Sequence, residues 1–170
     1  MTADELAKAV GEEAALELQR ATDAIRHCLN QLSEDQVWHR PTPSMNSVGN
    51  LLLHLCGNVR QYFVSGLGGA KDVRERPREF TERGPIPKAE LLSRLETTIA
   101  ESVAALGSTD AQNLMSPRRI QNADTTPLGA IFRSLPHYRG HAQEIIHMTR
   151  QMVGDRYRFA GAPPEPENVR

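Results

Sequence analysis

His137-Tyr138-Arg139-Gly140-His141-Ala142-Gln143-Glu144 decides how the rest of the chain is read. It lies inside a long segment, from Pro127 to about Val153, in which Leu128, Ile131, Leu135, Ile145, Ile146, Met148 and Met152 recur with helical spacing. On a helix, residues four apart stack on one face, so His137 and His141 present two imidazoles one above the other. Such a pair can chelate one metal ion but leaves it under-coordinated. A third ligand must come from another segment, and the candidate is His54, in the middle of a second helical pattern from Asn46 to Ser65. Three histidines from two helices leave coordination positions open for water or substrate, as in catalytic rather than structural sites.

Outward from this stretch the pattern is helical almost throughout. Thr2 and Glu5 form a capping-box pair ahead of a first helix reaching about Leu32, with Leu6, Val10, Leu16, Ile25 and Leu29 on its apolar face. A Pro-containing connection with the sole tryptophan, Trp38, follows, and Trp38 reads as a plug over one end of the domain. The second helix, capped at Asn46 or Ser47, carries an apolar face beside a polar row of Asn50, His54, Asn58 and Gln61. Residues 70–87 hold seven charged side chains between Arg74 and Arg83 and read as a solvated loop with room for a short turn. A third helix spans about Pro87 to Leu106, with Leu91, Leu92, Leu95, Ile99 and Val103 on one stripe. Residues 108–124 read as a polar connection, and Thr126-Pro127 opens the fourth helix with a hydroxyl cap and a proline in its first turn. The fold class is therefore all-α: a four-helix bundle occupying residues 1–160 as one domain, followed by a disordered tail over 161–170. Up-down-up-down order is expected, although the long connections have room to cross an end of the bundle.

Composition narrows the function classes. A net charge of −1 argues against nucleic acid as a partner, which calls for a basic face. No apolar run is long enough to span a bilayer, and the N-terminus lacks the basic start and apolar core of a signal peptide. Two cysteines, Cys28 and Cys56, make no disulfide framework and read as reduced, half-buried thiols of a cytoplasmic protein. The expected partner is a small-molecule substrate, with neither nucleic acid nor membrane.

The remaining histidines are weaker candidates. His27 and His39 have no metal-spaced partner, and His147, six residues past His141, is rotated about 120° from the metal face. Glu144, three residues after His141, is placed to orient a ligand histidine, to act as general base, or to be a fourth ligand; its plainer role is an ion pair, for example with Arg133. Asn50 and Asn58 flank His54 by one turn on either side and are read as contacts for substrate or bridging water. Gly140 offers room for a neighbouring backbone or a ligand. Tyr138 and Arg139 point outward or toward a neighbouring helix.

Three stretches, Leu32-Ser-Glu-Asp-Gln-Val-Trp38-His-Arg-Pro, Asn46-Ser-Val-Gly-Asn-Leu-Leu-Leu-His54-Leu-Cys-Gly-Asn58-Val-Arg-Gln and His137-Tyr-Arg-Gly-His141-Ala-Gln-Glu-Ile-Ile, resemble the DinB/YfiT-like superfamily over roughly Leu16 to Phe159. The resemblance implies a four-helix bundle, often a homodimer. It also implies a divalent metal (nickel, zinc, iron or manganese) held by one histidine of the second helix and the His-x-x-x-His of the fourth, here His54, His137 and His141. Relatives in that superfamily include thiol-dependent S-transferases and isomerases that use bacillithiol, mycothiol or glutathione, and hydrolase-like proteins. Many of them carry Gly-Gln after the last histidine, whereas this chain reads His141-Ala-Gln-Glu144.

Two function classes follow, beside a plain helical domain without metal, for which His54→Ala would change neither stability nor metal content. In the first, a metalloenzyme, the metal lowers the pKa of a bound water or of a low-molecular-weight thiol cosubstrate, giving a hydrolase or an S-transferase. Cys56 lies about 200° round the helix from His54, so a thiol must enter from outside. In the second, the chain is a non-catalytic, metal-stabilised helical module that binds a partner or serves a stress response. An all-histidine site predicts metal affinity that falls as pH drops through about 6, because the ligands must be neutral.

Overall fold

Thr2 opens the first helix through a reciprocal cap: its hydroxyl accepts from the Glu5 N–H at 3.1 Å while its own N–H donates to the Glu5 carboxylate at 2.7 Å. In the computed structural model, which describes residues 1–161, this helix is α1, Ala3–Leu29. It ends one turn before Leu32, because Ser33 caps a new short helix, α2, Glu34–Trp38. The second long helix is capped by Ser47 and runs as α3, Val48–Val59, continuing into a π-helical turn, Arg60–Ser65. Next come α4, Arg76–Thr81; α5, Lys88–Gly107; α6, Ala111–Leu114; and α7, Pro127–Val153, which passes unbroken through Pro136. Beyond residue 161 the expected tail lies outside the described residues.

Four long helices make the bundle, and their order is not the simple one. α1 packs on α5 and α7, and α3 packs on the same two. Consecutive helices α1 and α3 therefore sit diagonally, and the long connections cross the ends. The core between them is aliphatic. Leu18, Ile25 and Leu29 of α1, Leu51, Leu52 and Leu55 of α3, Leu91, Leu95 and Leu106 of α5, and Tyr138 and Ile145 of α7 are all fully buried, each contributing about 1.5–3 kcal/mol of transfer free energy. Leu6 and Leu16, expected on the apolar face of the first helix, are instead 49% and 37% exposed. The buried stripe of α1 runs through the small residues Ala7, Gly11, Ala14 and Ala15, which let α1 approach its neighbours closely.

Two connections differ from their sequence reading. Residues 118–125 form a β-hairpin, β1 (Arg118–Ile120) antiparallel to β2 (Ala123–Thr125), with Arg118 opposite Thr125. Its two-residue turn, Gln121-Asn122, takes positive φ at both positions, the conformation that matches strand twist. The charged segment 70–87 is mostly solvent-exposed, but it holds the short helix α4 and buries Glu79. Trp38 packs against Gly49 and Gly84 and donates its indole N–H to the Ile86 carbonyl at 3.0 Å, so the plug closes over this segment. Arg40 donates to the Phe80 carbonyl, and Asn50 donates to the carbonyls of Glu79 and Glu82. The segment lies against α3 through polar side chains that satisfy its backbone, so few apolar residues are needed to hold it.

Candidate metal centre

His54 projects from the middle of α3, buried, and meets His137 and His141 from α7. His54 Nε2 and His137 Nε2 are 2.8 Å apart. The rings stand edge to face, with centroids 5.1 Å apart for His54–His137 and His54–His141 and 4.5 Å for His137–His141. One ring nitrogen from each lies within 4.8 Å of the other two. Divalent metals bind imidazole nitrogen at about 2.0–2.1 Å, which puts two ligand nitrogens roughly 3 Å apart, so the three donors are gathered on the scale of one ion.

The outer ring nitrogens fix the inner ones. Glu79 Oε2 lies 2.8 Å from His54 Nδ1, and Glu144 Oε2 lies 2.7 Å from His141 Nδ1. A carboxylate only accepts, so each Nδ1 carries the proton and each Nε2 keeps a lone pair facing the centre. Burial, followed by the charges of His141, His54, Arg74 and Arg76, pushes the His137 imidazole down to about 4. That ring is neutral, hence ligand-competent, well below ordinary histidine pH. The donor set, with His54 and His141 each protonated on the outer nitrogen, fits a divalent metal.

Glu79 was invisible as a functional residue in the sequence, one of several acids in a charged run. Its carboxylate is gripped at both oxygens by Arg74: Nε to Oε1 at 2.7 Å and Nη2 to Oε2 at 2.8 Å. Burial pushes the Glu79 carboxyl upward, but the Arg74 guanidinium and the His54 ring outweigh it and hold it below the usual carboxylate range. The chain Arg74–Glu79–His54 is buried along its length, with side chains 4%, 8% and 6% exposed. No buried side-chain polar atom among the described residues lacks a partner. Gly57 makes the approach possible: a Cβ there would stand 2.0 Å from Glu79 Oε1.

The other sequence candidates divide. Glu144 reaches His141 rather than an arginine. Asn58 faces the centre, where its Oδ1 accepts from Ser134 Oγ at 2.8 Å, and with His54 and His137 it lines a cavity of about 180 Å³. Asn50 does not join them. It is fully buried, and its amide is spent on Ser47, Arg40 and the carbonyls of Glu79 and Glu82, so it clamps the 79–82 backbone instead of meeting a ligand. Gly140 meets nothing within 4 Å of where a Cβ would stand, so no close approach depends on it. Tyr138 turns inward to α1, its hydroxyl 2.7 Å from Thr22 Oγ1, and Arg139 pairs with Glu17. Of the other histidines, His147 and His39 are exposed, and His27 bonds the Arg158 carbonyl. Gln121, at the hairpin tip, also lines the cavity and bonds Gln61 and Tyr62; its Gln-Asn turn lacks the Asn-Gly signature that marks a hairpin in sequence.

The bundle with its crossed connections is a fold shared with solved structures, DinB-like proteins among them. A DinB-like protein from Bacillus subtilis matches with a TM-score of 0.65 at 14% identity, covering 86% of this chain and 96% of that one. A DinB-like protein from Bacillus cereus matches with a TM-score of 0.60 at 15% identity, covering 78% and 85%. A conserved protein from Enterococcus faecalis matches with a TM-score of 0.71 at 16% identity, covering 83% and 95%. The chain belongs to the family described as protein of unknown function DUF1572, whose model matches residues 6–165. No protein of curated function matches the chain. Among the described residues, no helix is long and apolar enough to cross a membrane.

Proposed function

We propose that the chain is a metalloenzyme in which His54, His137 and His141 hold a divalent ion, with nickel, zinc, iron and manganese as the candidates. The observation that carries this reading is the convergence of one nitrogen from each ring while the outer nitrogens of His54 and His141 are held by carboxylates. A metal held there supplies Lewis acidity toward water or a low-molecular-weight thiol, which makes the protein a hydrolase or a thiol S-transferase. The chain's own groups do the rest. Glu79 and Glu144 are positioning residues that lock the tautomers of His54 and His141. Glu144 uses one carboxylate oxygen on His141, which leaves the other to accept a proton from an entering water or thiol. Asn58 orients what enters the cavity. The substrate is a small molecule. Any thiol enters as cosubstrate, because Cys28 is buried in the core and burial pushes the Cys56 thiol up to about 12, so neither offers a thiolate to the centre.

The test is elemental analysis of protein purified without an affinity tag, beside His54→Ala and His137→Ala. About one metal per chain in the parent and none in either variant is the expected result. No metal after reconstitution with all four ions would overturn the reading. With metal established, turnover of electrophiles that rises with added thiol selects the transferase, and turnover without thiol selects the hydrolase.

A further inference from the structure

The cavity beside His54 and His137 has a one-sided charge. Its uncharged wall is Asn58, Tyr62 and Gln121, and its charged members are Arg76 and Arg133. No carboxylate of the described residues lines it. Half of the described arginines are matched to an acid: Arg20, Arg26, Arg60, Arg74, Arg78, Arg94, Arg119 and Arg139 each face a Glu or Asp. Arg76 and Arg133 make neither an ion pair nor a hydrogen bond among the described residues. Arg76 is nevertheless held in place, with its guanidinium over the Phe80 ring at 5.1 Å, and Phe80 lies 5.0 Å from the His54 ring. Guanidinium, phenyl ring and imidazole thus lie in series, the two rings tilted by 40°, which sets a positive charge at the lip of the centre. Arg133 lies one turn before His137 on α7 and supplies the second charge.

We propose that this cavity is an oxyanion subsite: Arg76 and Arg133 bind a carboxylate or phosphate group of the substrate, while Asn58, Tyr62 and Gln121 hydrogen-bond the atoms between that group and the histidine centre. The inference rests on the metalloenzyme reading for what happens at the centre, but the anion contacts belong to protein side chains and exist without metal. A volume of about 180 Å³ admits a head group of a few heavy atoms, so the rest of the substrate stays outside. Guanidinium groups suit this work because they present several donors to planar or tetrahedral oxyanions.

The experiment is an NMR titration of the metal-free and the metal-reconstituted protein with inorganic phosphate, with acetate, and with acetamide as the neutral isostere of acetate. The readouts are the side-chain amide signals of Asn58 and Gln121 and the Nε–H signals of Arg76 and Arg133. Phosphate or acetate should shift these signals saturably in both forms, and acetamide should not. The Arg76→Gln/Arg133→Gln double variant should bind the anion roughly ten- to a hundredfold more weakly, the effect of removing charge-assisted hydrogen bonds, while its metal content stays that of the parent. The stronger of the two anions identifies the head group as phosphate or carboxylate. Equal response to acetamide, or a double variant that titrates like the parent, overturns the subsite even if the metal is present. Anion binding in a protein that takes up no metal keeps the subsite and overturns the metalloenzyme reading instead.

Discussion

Two of the three histidines are held by a carboxylate through nearly the same hydrogen bond, 2.8 Å for His54–Glu79 and 2.7 Å for His141–Glu144, yet the two pairs are built differently. His141–Glu144 is local, three residues apart on α7, with Glu144 46% exposed. Water can replace either partner. His54–Glu79 joins two segments 25 residues apart, is buried, and needs Arg74 to balance the acid and Gly57 to make room for it. The difference teaches that geometry at the ligand does not set the consequence of losing its support. A buried carboxylate is coupled to every charge around it, and an exposed one is coupled only to its neighbour.

Glu79→Ala should therefore produce the largest effect of any support mutation. It strands the Arg74 guanidinium in a buried position, and breaking a buried pair by removing one partner costs about 3–5 kcal/mol. Denaturant unfolding of metal-free protein reads that loss directly, and a loss under about 1 kcal/mol would erase the contrast between the two pairs. Metal affinity should fall as well, by about 10–100-fold.

Gly57→Ala tests the same buried pair without touching a charge. Its new methyl would occupy the place of Glu79 Oε1, so the carboxylate must retreat from His54. We expect about 1–3 kcal/mol of overpacking cost together with weaker metal binding. Normal metal affinity in this variant would show that Glu79 does not support the ligand.

The pH dependence of metal-free protein comes next. His137 drops from 6.5 to about 4 on folding, so its contribution to stability is complete above about pH 6.5 and is lost as pH falls toward 4. Glu79 is also lowered on folding, from 4.5; its contribution is complete above that value and is lost only in stronger acid, through its folded value. Unfolding midpoints should thus decline from pH 6.5 downward, and His137→Asn should flatten the upper part of that decline while Glu79 governs the lower. An unchanged slope in His137→Asn would rule out the assignment.

The smallest effect on stability belongs to Glu144→Gln. Stability should stay within about 0.5 kcal/mol of the parent, as for exposed substitutions. Metal affinity should weaken modestly, because glutamine can still accept from His141 Nδ1 through its carbonyl. A loss of stability matching Glu79→Ala would mean that the exposed pair is coupled to its surroundings no less than the buried one.

How much of this was legible in the sequence follows the same division. The four long helices, the Thr2 and Thr126 caps and the stacked His137–His141 pair are local, set by a 3.6-residue period and by side chains within four residues of one another, and they needed no tertiary information. His54 could be proposed because it sits beside an apolar stripe on the second long helix. Arg74 and Glu79 could not, because in a run of alternating charge nothing distinguishes the acid that will be buried from those left in water. Helical spacing puts Asn50, one turn from His54, at the centre, but its amide goes to the carbonyls of Glu79 and Glu82. Local spacing settles which helices form and which faces carry imidazole. Long-range packing selects the carboxylate and the guanidinium that stand behind them, because burial of a charge depends on partners that arrive from distant segments and on the space a glycine leaves for them.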